Sequence, residues 1–192
     1  MSWAPEDRAP RAHQDIKIAT RKGLLIVYTG DGKGKTTAAL GLAFRALGRK
    51  HRIAVVQFIK GKWKTGEAMF AGELADRVDW FSMGDGFTWL TQNYAEDVAS
   101  ARRAWAKCCE LLADARYQVV IFDELNCVIS YNFLPVDEVL AGLAHTPAHT
   151  HVVITGRGAP PEIIERADLV TEMREIKHPY QAGIKAQPGV DY

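Results

Sequence analysis

Lys35 and Thr36 close a glycine-rich run, Thr29-Gly30-Asp31-Gly32-Lys33-Gly34, and are followed by Thr37. An ammonium, a hydroxyl and several unobstructed backbone N–H groups are what a phosphate chain needs from a protein. Glycines let the N–H groups converge where a Cβ would block them. A helix starting at Thr36 adds the partial positive charge of its N-terminus. Gly30, Asp31, Gly32, Lys33, Gly34, Lys35, Thr36 and Thr37 therefore read as a nucleotide cradle, with Lys35 on the phosphates and the Thr36 hydroxyl on a magnesium ion. The usual spacing is G-x-x-x-x-G-K-S/T. Here counting back five from Gly34 reaches Thr29, and the first glycine, Gly30, comes one residue late.

Further along the chain, an apolar run ends in Asp123 and Glu124. A carboxylate there can hold magnesium, or manganese in its place, opposite Thr36. Glu124 is taken with Thr36 as metal ligand and catalytic residue, with Asp123 as a further candidate, since spacing does not separate the two. Arg157 stands between Gly156 and Gly158 and can reach phosphate. Phe87 and Trp89 lie in a glycine-containing stretch and offer planar apolar surface to a flat partner, or pack inside.

These residues need elements to bring them together. Apolar runs at residues 24–28, 53–58, 78–82, 119–124, 151–155 and 169–173 read as six strands. Helical stretches fall between them, at 36–47, 67–74, 93–115, 125–130, 136–143 and 161–166, the fifth begun by Pro135. The longest is expected to bury Val98, Ala101, Trp105, Cys109 and Leu112. Strict alternation predicts an α/β fold: three layers, a mainly parallel sheet of about six strands, helices on both faces. Such folds bind ligands outside the C-terminal ends of the strands. That rule collects the cradle, the basic stretch 60–64, Phe87, Trp89, Asp123, Glu124 and Arg157 on one edge. Residues 1–22, polar with Pro5 and Pro10, read as a flexible arm, and 23–192 as one domain. The tail from 174 reads as mostly irregular.

Composition limits the function. The 192 residues carry a net charge of +1, without a large basic block, which argues against a nucleic-acid partner. The cysteines are Cys108, Cys109 and Cys127, an odd number without a C-x-x-C pair, as in a reduced cytoplasmic protein. Cys108 and Cys109 read as packing residues. No apolar run suits a signal peptide or a bilayer span. His145, His149 and His151 approach a metal spacing but lack a nearby acid or cysteine, and Pro147 interrupts any helix, so they read as a solvated turn.

Taken together, Gly30 to Ala39, Val55-Val56-Gln57-Phe58-Ile59-Lys60-Gly61, Gly86-Phe87-Thr88-Trp89 with Thr91-Gln92-Asn93, Asp123-Glu124-Leu125, Leu134-Pro135, Ile154 to Gly158, and the tail Lys185-Ala186-Gln187, Gly189, Asp191-Tyr192 resemble the phosphate-loop, recombinase-like family of ATP:corrinoid adenosyltransferases. The resemblance covers residues 23–192. Asp31 stands where some relatives have asparagine, a change within the backbone cradle. The resemblance implies a transferase reaction in adenosylcobalamin synthesis or corrinoid salvage. Cobalt in a Co(I) corrinoid attacks C5′ of ATP, the C5′–O bond breaks, and triphosphate leaves. It further implies ATP bound in reversed orientation, Phe87 and Trp89 packed under the corrin, a homodimer, and a flavoprotein reductase as a source of electrons. Two other classes share the cradle: an ATPase or kinase that yields ADP, and a non-catalytic nucleotide-binding module.

Overall fold

The computed structural model describes residues 21–59, 65–84 and 93–191. Phe87, Trp89, the basic stretch 60–64 and nearly all of the expected arm lie outside them. Six strands form one all-parallel sheet: β1 (Leu25–Thr29), β2 (Ile53–Gln57), β3 (Val78–Ser82), β4 (Val119–Asp123), β5 (His151–Thr155) and β6 (Leu169–Glu172), in the order β3-β2-β4-β5-β1-β6. Helices connect them: α1 (Lys35–Gly48), α2 (Gly66–Glu73), α3 (Tyr94–Ala113), α4 (Leu125–Ser130), α5 (Val136–Leu143) and α6 (Pro161–Arg166).

The central strands are buried on both faces, as their unbroken apolar runs require. One face carries Val27, Val56, Val120, Phe122 and Ile154 against Trp105, Cys108 and Leu112 of α3 and Val139 of α5. Trp105 meets Phe122 edge to face, centroids 5.9 Å apart. The other face carries Ile26, Ile53, Val55, Ile121 and Val153 against α1. Only alanines, Ala39, Ala43 and Ala46, are fully buried among the apolar residues of α1, so this helix lies close to the sheet.

Local chemistry sets the boundaries. Asn93 caps α3 by accepting from the Glu96 N–H, and its own amide donates to the Glu96 carboxylate. Thr65 caps α2 in the same way through the Ala68 N–H.

Several expectations change by a residue or two. The second strand stops at Gln57, the fourth at Asp123 and the sixth at Glu172. On α3 the fully buried thiol is Cys108, while Cys109 is half-exposed, because the helix turns its small-residue face, Ala101, Ala104 and Cys108, onto the sheet. His151 opens β5, as the expected strand 151–155 has it and not as a residue of a solvated turn, and its Nδ1 accepts from the Leu24 N–H. His145 and His149 meet the backbone carbonyls of Ala141 and Ala115. The tail contains a 3-10 turn, Pro179–Ala182. No helix among the described residues is long and apolar enough to cross a membrane.

Candidate active site

The loop between β1 and α1 is shaped by the chain that follows β6. Met173 donates its N–H to the Thr29 carbonyl, and the Gly32 N–H donates to the Met173 carbonyl. A Cβ on Gly30 would lie 2.4 Å from the Met173 oxygen, and one on Gly32 would lie 2.6 Å from the Arg174 oxygen. Both glycines are therefore required for close passage of two backbones, before any ligand is considered. Gly34 takes the N-cap position of α1 and no side chain caps that end. The free N–H groups of the first turn accordingly remain for an anion.

Lys35 is buried, 7% exposed, and its Nζ donates to the carbonyls of Gly30 and Gly32, at 2.7 Å each. Burial lowers its pKa; Arg157 pushes the same way, and Glu124 opposes them. An open cleft above the loop is lined by residues 31–37, Glu124, Arg157, Val190 and Asp191. Arg157 is exposed, with a guanidinium N–H 3.4 Å from the Asp31 carbonyl. Lys33 forms an ion pair with Asp191 of the tail, which holds that carboxylate below its usual range. Sequence reading did not bring Val190 or Asp191 to this cleft.

Beneath the cleft the two acids at the end of β4 separate. Asp123 is 1% exposed. Its Oδ1 accepts from the hydroxyls of Thr36, at 2.8 Å, and Thr155, at 2.7 Å, while Oδ2 accepts from the Gln57 amide at 3.1 Å. The chain then turns sharply at Glu124, a non-glycine residue at φ 67° in the left-handed region. Such a conformation costs of order 1–3 kcal/mol and persists where its surroundings fix it. Here the Glu124 N–H donates to the Thr155 hydroxyl at 2.9 Å. The turn sends the Glu124 side chain to the cleft, where its Oε2 accepts from the Cys127 thiol at 2.9 Å. Burial, then Glu124, pushes that thiol up to about 12. The Cys127 sulfur also accepts from the Arg157 N–H at 3.2 Å.

Thr36 thus meets Asp123, the further candidate beside Glu124 that spacing alone did not separate from it. Sequence reasoning also missed Gln57, Thr155 and Cys127. One signal was available: Gln57 and Thr155 are polar residues at the ends of apolar strands. The oxygen-only donor pair of Thr36 and Asp123 suits magnesium, which takes its other ligands from phosphates and water. Among the described residues no group of three or more histidines, cysteines or acids is arranged to hold a metal ion by itself.

Known proteins carry the same sequence pattern. The model of the family described as ATP:corrinoid adenosyltransferase BtuR/CobO/CobP matches residues 21–192. This chain belongs to that family. The corrinoid adenosyltransferase of Pseudomonas aeruginosa is 47% identical over 185 residues, covering 95% of this chain and 91% of that one. The corrinoid adenosyltransferase of a Sinorhizobium species is 49% identical, covering 95% and 87%. Corrinoid adenosyltransferase CobA of Salmonella typhimurium is 45% identical, covering 93% and 91%. Among solved structures, the flagellar accessory protein FlaH of Methanocaldococcus jannaschii has a TM-score of 0.55 over 79% of this chain and 71% of its own, at 16% identity. That likeness concerns the fold alone. The family match spans the cradle, Asp123 and Glu124 at the end of β4, and the tail that lines the cleft.

Proposed function

We propose that this adenosyltransferase moves the 5′-deoxyadenosyl group of ATP to the cobalt of a Co(I) corrinoid and releases triphosphate. One observation carries the reading: in a chain of this family, Lys35, Thr36 and Asp123 converge beneath a glycine loop whose helix end lacks a side-chain cap. Such a cradle suits a highly charged leaving group. The bond to break is C5′–O, so the loop has to hold the whole triphosphate and leave the ribose carbon facing outwards.

Lys35 leaves the Gly30 and Gly32 carbonyls and donates to phosphate oxygens. The N–H groups at the start of α1 do the same, stabilising charge that develops on the leaving oxygen. Thr36 and Asp123 hold the magnesium side, with Glu124 at the cleft wall. Magnesium, when bound, neutralises charge on the triphosphate. Arg157 and Lys33 extend the positive lining; Lys33 exchanges Asp191 for phosphate. The nucleophile carries no proton, so the site needs no general base. Catalysis then falls on alignment, worth up to about 7–11 kcal/mol in well-positioned systems.

Phe87 and Trp89 are assigned to the corrin face. They exclude a lower axial ligand from cobalt and make Co(II) easier to reduce. No protein ligand to cobalt is assigned. The remaining assignments are a homodimer, an arm over residues 1–22 that covers the corrinoid, one domain over 23–192, an electron-donating flavoprotein and a cytoplasmic location.

The test is anaerobic mixing of protein, ATP, magnesium and a chemically reduced corrinoid. The expected products are triphosphate and a light-sensitive alkyl-cobalt spectrum in equal amounts. ADP without an alkyl-cobalt product overturns the reading in favour of an ATPase or kinase.

A further inference from the structure

Gln57 is 2% exposed at the end of a strand whose other residues are apolar, and the proposed chemistry gives it no task. Both ends of its amide are engaged. Nε2 donates to Asp123 Oδ2 at 3.1 Å, and Oε1 accepts from the Trp80 indole N–H at 3.2 Å and from the Ser82 hydroxyl at 3.1 Å. A flipped amide would set its NH2 against the indole N–H and its oxygen against a carboxylate, so the network fixes one orientation. The backbone repeats the link. The Gln57 carbonyl accepts from the Met83 N–H, so the exit of β3 is tied to the exit of β2. The Thr36 hydroxyl, the Asp123 carboxylate, the Gln57 amide and the Trp80–Ser82 pair therefore form one connected chain, from the floor of the cleft to the outermost strand on that side.

We propose that Gln57 is a positioning residue: it holds the Asp123 carboxylate ready for a divalent cation and passes the state of that carboxylate to Trp80 at the end of β3. A cation approaching Asp123 draws electron density from Oδ2 and weakens it as an acceptor. The buried amide then shifts or reorients, and it cannot do so without changing its bonds to the indole and the hydroxyl. Trp80 is accordingly an internal reporter of cation-loaded nucleotide. Neither residue touches substrate.

The inference rests on the magnesium part of the proposed function and not on corrinoid chemistry. Its test uses equilibrium binding to the whole protein. ATP affinity is measured by calorimetry with magnesium and with EDTA, and the ratio is the magnesium advantage. Gln57→Leu should lower that advantage about ten-fold or more, the range of a lost hydrogen bond to a charged group. Its affinity for metal-free ATP should stay unchanged, which a merely structural role would not allow. In parallel, magnesium and ATP should change the emission of Trp80, taken as wild type minus Trp80→Phe, and Gln57→Leu should abolish the change at saturating ATP. Ser82→Ala, an exposed site, leaves the core intact and should lower the magnesium advantage about two- to three-fold through loss of one bond to the amide. It keeps the test decisive if Gln57→Leu does not fold. A silent Trp80, an unchanged magnesium advantage in Ser82→Ala, or equal losses with and without magnesium in either variant overturns the proposal. Triphosphate and alkyl-cobalt formation by the wild type is scored separately, so failure of the Gln57 role is distinguishable from failure of the transferase reading.

Discussion

Replacing Thr155 with valine tests how the two acids at the end of β4 are held. Thr155 is fully buried, and its single hydroxyl donates to Asp123 Oδ1 at 2.7 Å and accepts from the Glu124 N–H at 2.9 Å. Valine keeps the volume and removes both bonds. A hydrogen bond to a charged group contributes about 1.5–3 kcal/mol, and leaving a buried N–H without its partner costs about 1–3 kcal/mol. The two effects share one group and overlap, so the expected loss is about 2–5 kcal/mol. Serine keeps the hydroxyl and removes one methyl, which costs about 1 kcal/mol. For a chain of this size each kcal/mol lowers Tm by about 2–4 °C. Thermal unfolding followed by circular dichroism should show Thr155→Val about 5–15 °C below wild type and Thr155→Ser only a few degrees below. Activity should follow the same order, because the hydroxyl also pins the strained turn that sends Glu124 to the cleft. A valine variant as stable as the serine variant refutes the reasoning, since the hydroxyl would then hold neither acid.

Four further outcomes follow. Burial lowers the Lys35 pKa, so its ammonium loses a proton at lower pH than an ordinary lysine, whose value is 10.5; kcat/KM for ATP should fall on the alkaline side as pH rises through that lowered value. Glu124→Gln removes a charge that raises the Lys35 pKa and should move the alkaline limb to lower pH, and an upward shift contradicts the assignment. A thiol reagent on the native protein at neutral pH should modify Cys109 first and leave Cys108 and Cys127 until unfolding, since both are buried with raised pKa values; early loss of Cys127 contradicts its bond to Glu124. Phe87→Ala with Trp89→Ala should cripple reaction from a Co(II) corrinoid and spare reaction from Co(I), and equal losses with both substrates argue against their proposed role.

The sheet was legible in the sequence because every central strand is an apolar run bounded by polar turns, and burial on both faces allows little else. The cradle was legible because glycine spacing and Lys35-Thr36 are local features. What the sequence hid depends on pairing across the fold. Asp123 and Glu124 are adjacent in the chain, and their roles divide only through the left-handed turn at Glu124, which sends one carboxylate under the loop and the other to its side. That turn is held by Thr155, on a different strand. Gly30 and Gly32 suggest a phosphate loop by type, yet the constraint visible in the structure is the passage of Met173 and Arg174 beside them. Asp191 reaches Lys33 across 158 positions of sequence, and no local pattern encodes such a contact. Cys108 and Cys109 are neighbours on one helix, so an error of one position in the stripe exchanges a buried thiol for a half-exposed one.

The central claim is that the C5′–O bond of ATP breaks while the cradle holds the triphosphate. ATP labelled with oxygen-18 at the oxygen bridging C5′ and the α-phosphorus tests it directly, with a Co(I) corrinoid as acceptor and mass spectrometry of the products. The account predicts all of the label in triphosphate and none in the nucleoside product. Label retained with adenosine, ADP or AMP would mean that a phosphorus–oxygen bond had broken instead, and would contradict it.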